Sequence, residues 1–185
     1  MSDRRSGSRV TRRWTARSCH PRVLLAALSC AAGLVALSCG GDESDGPEPL
    51  FPTDYAASFT EVRGCRSSSD HELNHIRVLA DRAALAPYRD RLADFPEGSV
   101  VLKEEYSFAD PTCSGEVVRW TLMARLANGS SPQTLDWYWQ DVDGERRVVS
   151  ENDSRCIGCH QGCGNAPEGY QGTCTVVGAT GGAFP

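Results

Sequence analysis

Two thiols and an imidazole lie within five residues near the C-terminal end of the chain. Cys156 and Cys159 are separated by two residues, and His160 follows directly. Thiols at this spacing can each add across a vinyl group of one porphyrin, and the adjacent imidazole can bind its iron. We therefore interpret this segment as a covalent attachment site for haem c, with all three side chains binding the cofactor and His160 as the metal ligand.

Two other kinds of site use a pair of cysteines at this spacing. A redox-active pair usually follows a strand in a βαβ unit, and a zinc site needs two further ligands, which Cys163 and Cys174 would supply. An exported chain and a histidine in the attachment position favour haem. The alternative is a zinc- or disulfide-stabilised lipoprotein without haem.

The sixth iron ligand separates electron carriers from haems that bind small molecules. No methionine follows His160, and Met123, the one internal methionine, is expected to pack within a sheet. His71 and His75 would give a bis-histidine iron and a noncatalytic, six-coordinate electron-transfer cytochrome. We favour an open iron position that binds a small-molecule ligand.

The first 38 residues have the composition of an export signal. Seven arginines precede an apolar run from Val23 to Leu37, whose 15 residues are fewer than the roughly 20 that span a bilayer. Cys39 lies just after this run in Ala-Leu-Ser-Cys-Gly, which resembles a bacterial lipobox. We predict cleavage and lipidation at Cys39; Cys30, in a second Ala-Leu-Ser-Cys, and plain secretion without lipid are the alternatives.

This signal predicts the domain organisation and the location. We expect a lipoprotein signal peptide over 1–38, a flexible acidic linker over 39–53, a single haem c domain over 54–177 and a disordered tail over 178–185. The protein is then held by a lipid anchor in the bacterial cell envelope, facing the periplasm or associated with the outer membrane.

Removal of the signal leaves a strongly acidic chain. Residues 1–38 hold seven arginines and one aspartate, so the remainder has 12 basic and 23 acidic residues and a formal charge of −11. Nucleic-acid binding depends on basic side chains that displace counterions, so this charge argues against it. A small ligand or a basic redox partner protein fits the charge better.

The cysteine count agrees with an oxidising compartment. Of nine cysteines, two lie in the signal, one is the lipidation candidate and two are assigned to haem, which leaves Cys65, Cys113, Cys163 and Cys174. Four cysteines allow three connectivities. We favour a disulfide between Cys65 and Cys113 and a second between Cys163 and Cys174.

The hydrophobic pattern predicts a mainly β (α+β) fold, with one antiparallel sheet and one or two short helices. Strands are predicted over 73–79, 99–106, 117–126 and 135–142, and an Asp143-Gly144 turn leads to a further strand at 148–149. Asp81 is expected to cap a helix over 82–91, which Pro87 would shorten or kink.

These segments, in this order, resemble the cytochrome P460 family, which includes the β-sheet cytochromes c′. The resemblance spans Tyr55 to Gln161 and is carried by the attachment motif and by the upstream strand Gly98-Ser99-Val100-Val101-Leu102-Lys103-Glu104. It implies an antiparallel β domain, often a homodimer, with a five-coordinate haem that oxidises hydroxylamine or binds nitric oxide. In P460 enzymes a lysine is linked to the porphyrin edge, and the matching residue is Lys103, the sole lysine here.

Two points of the resemblance stay open at this level. Lys103 shares a strand face with Val101 and Glu105, and this face meets either haem or solvent. Hydroxylamine oxidation also requires a carboxylate near iron to accept protons. The sequence does not choose among four candidates, each of which also suits a solvated strand position: Glu104, Glu105, Asp136 and Asp141.

Overall fold

The computed structural model describes residues 46–174, so the predicted signal peptide, Cys39 and the predicted tail lie outside the described residues. Six strands form one antiparallel sheet in sequence order: β1 (Thr60–Ser67), β2 (His75–Ala80), β3 (Val100–Tyr106), β4 (Val117–Arg125), β5 (Trp137–Asp143) and β6 (Val148–Glu151). The predicted mainly β, antiparallel fold is confirmed.

Three short α-helices and a small second sheet complete the described part of the chain. The helices are α1 (Tyr55–Ser58), α2 (Leu85–Asp90) and α3 (Ser154–Gln161), and a two-stranded hairpin pairs β7 (Gly169–Tyr170) with β8 (Thr173–Cys174). Single 3-10 turns occur at Ser69–His71 and Pro132–Thr134. Within residues 46–174 no helix has the length and apolar character needed to cross a membrane.

Both faces of the six-stranded sheet are covered. On the first, called the helical face, strand residues pack with α2 and with Cys156 and Ile157 of α3; its buried strand residues include Val78, Val101, Met123, Trp137 and Trp139. On the second, called the N-terminal face, strand residues pack with Phe51 and α1; they include Leu79, Leu102, Trp120, Leu122 and Val142. The sheet therefore forms the middle layer of the domain.

Helix α2 is shorter than the predicted helix over 82–91. The N-cap residue of α2 is Ala84 and not the predicted Asp81; Asp81 Oδ1 accepts a hydrogen bond of 2.7 Å from the backbone N–H of Ala84 and so orders the turn before the helix. The α-helical hydrogen bonding nevertheless begins only at Leu85. Pro87 then falls in the first turn, where a backbone N–H has no partner within the helix, so proline is tolerated there without a kink.

Left-handed residues shift the starts of two predicted strands. β2 begins at His75 instead of residue 73 because Leu73 has φ 66° and is 55% exposed. β5 begins at Trp137 instead of residue 135 because Leu135 and Asp136 have φ 58° and 59°. Such φ values interrupt an extended chain, and apolar residue type alone does not reveal them.

The hairpin between β5 and β6 uses a longer turn than the predicted Asp-Gly pair. Residues 144–147 connect the strands, and Asp143 Oδ1 accepts hydrogen bonds from the backbone N–H groups of Glu145 (3.0 Å) and Arg147 (2.9 Å). Arg146, at φ 63°, provides the left-handed position. The aspartate side chain therefore organises this turn.

The packed chain begins earlier than the predicted domain boundary at residue 54. Phe51 is only 3% exposed, and the backbone N–H of Leu50 donates to Gln140 Oε1 at 2.9 Å. The Gln140 amide also donates to the carbonyl of Glu48 at 3.1 Å. Residues 48–53, assigned to the linker from their composition, therefore contribute to the N-terminal face.

Candidate haem site

Helix α3 carries all three residues of the attachment motif. Asp153 caps it by accepting a hydrogen bond of 2.7 Å from the backbone N–H of Arg155. Cys156 and Cys159 are three positions apart and therefore lie on one side of the helix. They are the free thiols of the described chain, and Cys156 packs against the core of the helical face.

His160 is held by an aromatic ring and a backbone carbonyl. Its ring centroid lies 4.7 Å from that of Trp139, and its Nδ1 donates to the carbonyl of Gly172 at 2.6 Å. Since a carbonyl can only accept, this bond assigns the ring proton to Nδ1 and leaves Nε2 as the nitrogen for iron. Burial, assisted by the charges of Lys103 and His71, lowers the pKa of His160 to about 4, so the ring is neutral at pH 7.

The carbonyl of Gly172 is fixed by a disulfide-closed segment. Cys163 and Cys174 are bonded, and β7 and β8 pair inside the resulting loop. The hairpin is tightly packed, since a Cβ at Gly169 would clash with the carbonyl of Cys163. This disulfide is one of the two pairs favoured from the sequence, and it places the acceptor for the His160 ring.

The second disulfide lies at the other end of the sheet. It joins Cys65 of β1 to Cys113 in the loop between β3 and β4, as the sequence analysis favours. Because Cys163 and Cys174 are bonded to each other, neither can supply a thiolate to zinc. The described residues also contain no group of three His, Cys, Asp or Glu side chains arranged to hold a metal ion.

The protonation of Cys156 argues against a redox-active pair. Burial raises the pKa of this thiol, and the charges of Asp153 and Asp141 raise it further. Redox-active cysteines need a lowered pKa, because the thiolate is the reactive form. The environment of Cys156 therefore favours a thiol that stays protonated until it is modified.

Lys103 lies on the helical face and not toward solvent. It occupies one row across the sheet with Val78 of β2, Thr121 of β4 and Asp141 of β5. Burial lowers its pKa to about 8, against the opposing charge of Glu105. Cys156 and Ile157 of α3 pack against the core of this same face, so the lysine and the attachment helix share one side of the sheet.

His71 connects Lys103 to a buried carboxylate. The Nε2 atom of His71 lies 2.5 Å from Lys103 Nζ, and its Nδ1 lies 3.0 Å from Glu105 Oε1. Both ring nitrogens of His71 are therefore engaged, which removes it as a ready sixth iron ligand. The sequence contains no signal for this cluster, because His71 and Glu105 are 34 residues apart.

The other two predicted alternatives for the sixth ligand also have different roles. His75 pairs with Tyr106 across β2 and β3, in the row that faces the N-terminal side, and its ring lies 6.3 Å from that of Phe108. Met123 is buried in the core of the helical face, opposite Trp139 on β5, and packs as expected. Of the histidine and methionine candidates named from the sequence, His160 is thus the one that belongs to the attachment helix.

The four candidate carboxylates are not solvated strand residues. Glu104, Glu105 and Asp136 are buried, and Asp141 is nearly so. Glu104 faces the N-terminal side, whereas Asp136 accepts the backbone N–H groups of Gly129 and Ser131 in a loop. Only Glu105 and Asp141 lie on the helical face with the attachment motif.

Six buried side-chain polar atoms of the described residues lack hydrogen-bond partners, and two of them belong to β5 on this face. These two are Trp139 Nε1 and Asp141 Oδ1. Arg119 pairs with Asp141 at 3.4 Å without forming a hydrogen bond, and burial raises the pKa of this carboxyl. An unsatisfied buried polar group costs about 1–3 kcal/mol. With two free thiols and a neutral imidazole nearby, the donor set fits haem c.

The fold and this site together define a β-sheet protein of the c-type haem class. A family model described as Cytochrome P460 matches residues 52–166, which is more than half of the chain. The chain therefore belongs to the cytochrome P460 family, and haem c is the cofactor that this membership implies. A search of curated proteins finds no significant match.

Proposed function

We propose that the protein binds or converts a small nitrogen ligand, hydroxylamine or nitric oxide, at an open position of its haem iron. The observation that supports this most is the position of the three alternative ligands named from the sequence. His71 is bonded through both nitrogens, His75 belongs to the opposite face and Met123 is packed in the core. An iron with one protein ligand keeps a position for a small molecule.

In this proposal the three motif residues hold the cofactor. Cys156 and Cys159 form thioether bonds to the porphyrin, and His160 binds iron through Nε2. The haem supplies a redox-active iron that binds small ligands. Trp139 and the Gly172 carbonyl orient the His160 ring, so the imidazole is positioned before the cofactor arrives.

Oxidation of hydroxylamine would also need a group that accepts protons. Asp141 is our candidate, because it lies on the helical face and its Oδ1 has no hydrogen-bond partner. Burial raises the pKa of its carboxyl, which makes the carboxylate a stronger base. Simple binding of nitric oxide needs no such group, so Asp141 favours an enzyme over a passive binder.

The visible spectrum of the holoprotein tests the open position. We expect a Soret band and a high-spin spectrum that shifts when nitric oxide or carbon monoxide is added. A low-spin reduced spectrum that does not change when either gas is added would identify a six-coordinate electron-transfer cytochrome instead. Absence of any Soret band from protein matured in a c-haem-competent host would contradict the haem assignment itself.

The same spectrum tests whether Lys103 is linked to the porphyrin edge. The lysine is on the correct face and its amine is partly neutral at pH 7 to 8, both of which support the link. We expect Lys103→Arg to change the haem spectrum while the haem stays attached through its cysteines. An unchanged spectrum in this variant would exclude the crosslink.

We further propose that the mature protein is anchored by lipid at Cys39 in the cell envelope. The acidic charge beyond the signal suits a basic redox partner, and a homodimer is the proposed assembly. Cys39→Ala should release the protein from membranes into the soluble fraction, and Cys30→Ala serves as the matched control. Continued membrane association of Cys39→Ala would show that another anchor exists.

A further inference from the structure

We propose that Glu105, His71 and Lys103 act as one unit, in which His71 is the base that takes the proton of Lys103 whenever the amine reacts. The unit would make Lys103 a nucleophile toward electrophilic carbon. His71 is the base, and Glu105 is a positioning residue that acts through it. The proposal goes beyond haem binding, because it assigns a chemical role to residues outside the attachment motif.

The hydrogen-bond directions in the cluster support this order of groups. An ionised carboxylate can only accept, so the 3.0 Å contact with Glu105 Oε1 assigns the ring proton to His71 Nδ1. A neutral His71 then directs its Nε2 lone pair toward Lys103 Nζ, which donates. The resulting series of carboxylate, imidazole and nucleophile is the arrangement that activates nucleophiles in many enzymes.

Glu105 is held so that it stays ionised. Its side chain is 2% exposed, and it accepts further hydrogen bonds from Asn74 Nδ2 and Thr121 Oγ1, each at 3.4 Å. Burial opposes ionisation, but the hydrogen bond and charge of His71, together with the charge of Lys103, lower the pKa of Glu105 overall. The carboxylate is therefore available to stabilise a protonated His71.

The turn before β2 brings His71 over the sheet. Residues Ser69–His71 form a 3-10 turn, and Glu72 and Leu73 adopt left-handed φ values of 58° and 66°. The backbone N–H of Asn74 then donates to the carbonyl of His71 at 2.9 Å and closes the turn. Strand β2 begins one residue later, so His71 is fixed to the sheet that carries Lys103.

His71 also connects the buried amine to water. Its side chain is 22% exposed, whereas Lys103 is half-buried on the helical face, where burial lowers the pKa of its amine to about 8. A proton taken from Lys103 by Nε2 can thus leave the protein through the imidazole without crossing the core. The charged and titratable groups that face the amine are Glu105, Arg66, Asp70, His71, Cys156 and His160.

The proposed step can be followed with acetic anhydride as the electrophile. Nζ of Lys103 forms a bond to the acyl carbon, the acyl carbon–oxygen bond breaks, and acetate leaves with the electron pair. The proton released from Nζ passes to His71 Nε2. Because Lys103 is the sole lysine of the chain, peptide mass spectrometry reads this site without interference from other side-chain amines.

The test is trace acetylation of the holoprotein as a function of pH. We expect His71→Phe to lower the Lys103 rate constant at pH 7.5 by about tenfold or more, a typical scale for loss of a positioned general base. His75→Phe is the matched control, because His75 belongs to the opposite face of the sheet, and it should change the rate less than about twofold. Equal rates in the wild type and His71→Phe would overturn the proposal.

The variant Glu105→Gln distinguishes two roles of Glu105: support of His71 as a base, and a direct effect of its charge on the pKa of Lys103. The charge of Glu105 raises the pKa of Lys103, so its removal alone would leave more neutral amine and speed acetylation. If Glu105 supports His71 as a base, the same variant reacts more slowly. Faster acetylation of Glu105→Gln would therefore contradict the proposal.

A bond between Lys103 and haem would also give a defined outcome. Forming this bond replaces a porphyrin C–H by a C–N bond, so it requires a two-electron oxidant such as a peroxide, which is reduced to water, while the proton of Nζ passes to His71. The lysine peptide would then be recovered as a haem adduct, and His71→Phe should lower the adduct fraction and leave free amine. An unchanged adduct fraction in His71→Phe would overturn the base role. Nitric oxide binding is measured on the same samples, so failure of this proposal is distinguished from failure of the proposed ligand-binding function.

Discussion

Replacing Cys156 and Cys159 together by alanine should abolish covalently bound haem. The two thiols lie on one side of α3, and they are the free thiols of the described chain, so no other described cysteine can take their place. Haem-dependent peroxidase staining after denaturing electrophoresis measures the result. We expect staining of the double variant to fall to background.

Two further variants control for this loss. Cys65→Ala with Cys113→Ala also removes two cysteines, but it should keep the haem stain, although loss of the disulfide costs about 4 kcal/mol of stability. His160→Met leaves both thioether bonds possible, so it should stain while its iron spectrum changes. A stained band in the Cys156/Cys159 double variant would place the attachment site elsewhere.

Glu104→Ala should lower the free energy of unfolding by about 3–5 kcal/mol, the range found when one partner of a buried ion pair is removed. The Glu104 side chain is 2% exposed and accepts hydrogen bonds from Tyr55 Oη (2.6 Å), Arg77 Nε (2.6 Å) and Tyr106 Oη (2.8 Å). Its loss removes the acceptor shared by the hydroxyls of Tyr55 and Tyr106 and by Arg77 Nε. Urea unfolding followed by tryptophan fluorescence measures the change, because Trp120 donates to Tyr55 within the same network.

Glu61→Ala is the matched control for that experiment. Glu61 also faces Arg77, at 3.8 Å, but its side chain is half exposed. An exposed ion pair contributes about 0–1 kcal/mol, so this variant should unfold close to the wild-type urea concentration. If Glu104→Ala unfolds like Glu61→Ala, water replaces the lost carboxylate and the network is not a structural requirement.

The alternation of apolar residues predicts the strands of this sheet but not the burial of their charged residues. On β3, alternate residues face opposite layers, and both layers are packed. A charged residue on such a strand must be buried with partners, whereas the same residue on a one-sided sheet would be solvated. Glu104 and Glu105 therefore appear as surface residues from sequence, although each lies in a hydrogen-bond network.

The sequence pattern also does not predict the helix that carries the attachment motif. Helix α3 has Gly158 in its middle and two cysteines in place of strong helix formers, so neither propensity nor periodicity indicates it. The Asp153 cap is the one local signal that sequence reasoning missed. The motif itself is recognisable because its chemistry depends on residue type and spacing, whereas the His71 cluster depends on a turn and a sheet register.

The packing of both faces of β3 limits how this protein can change over evolution. A strand with a free face can exchange residues there without loss, but every position of Val100–Tyr106 is buried or half-buried. Altering the chemistry around Lys103 through its own strand therefore risks the fold. New ligand preferences are more accessible through the turn that carries His71, where sequence and length can vary at lower cost to the sheet.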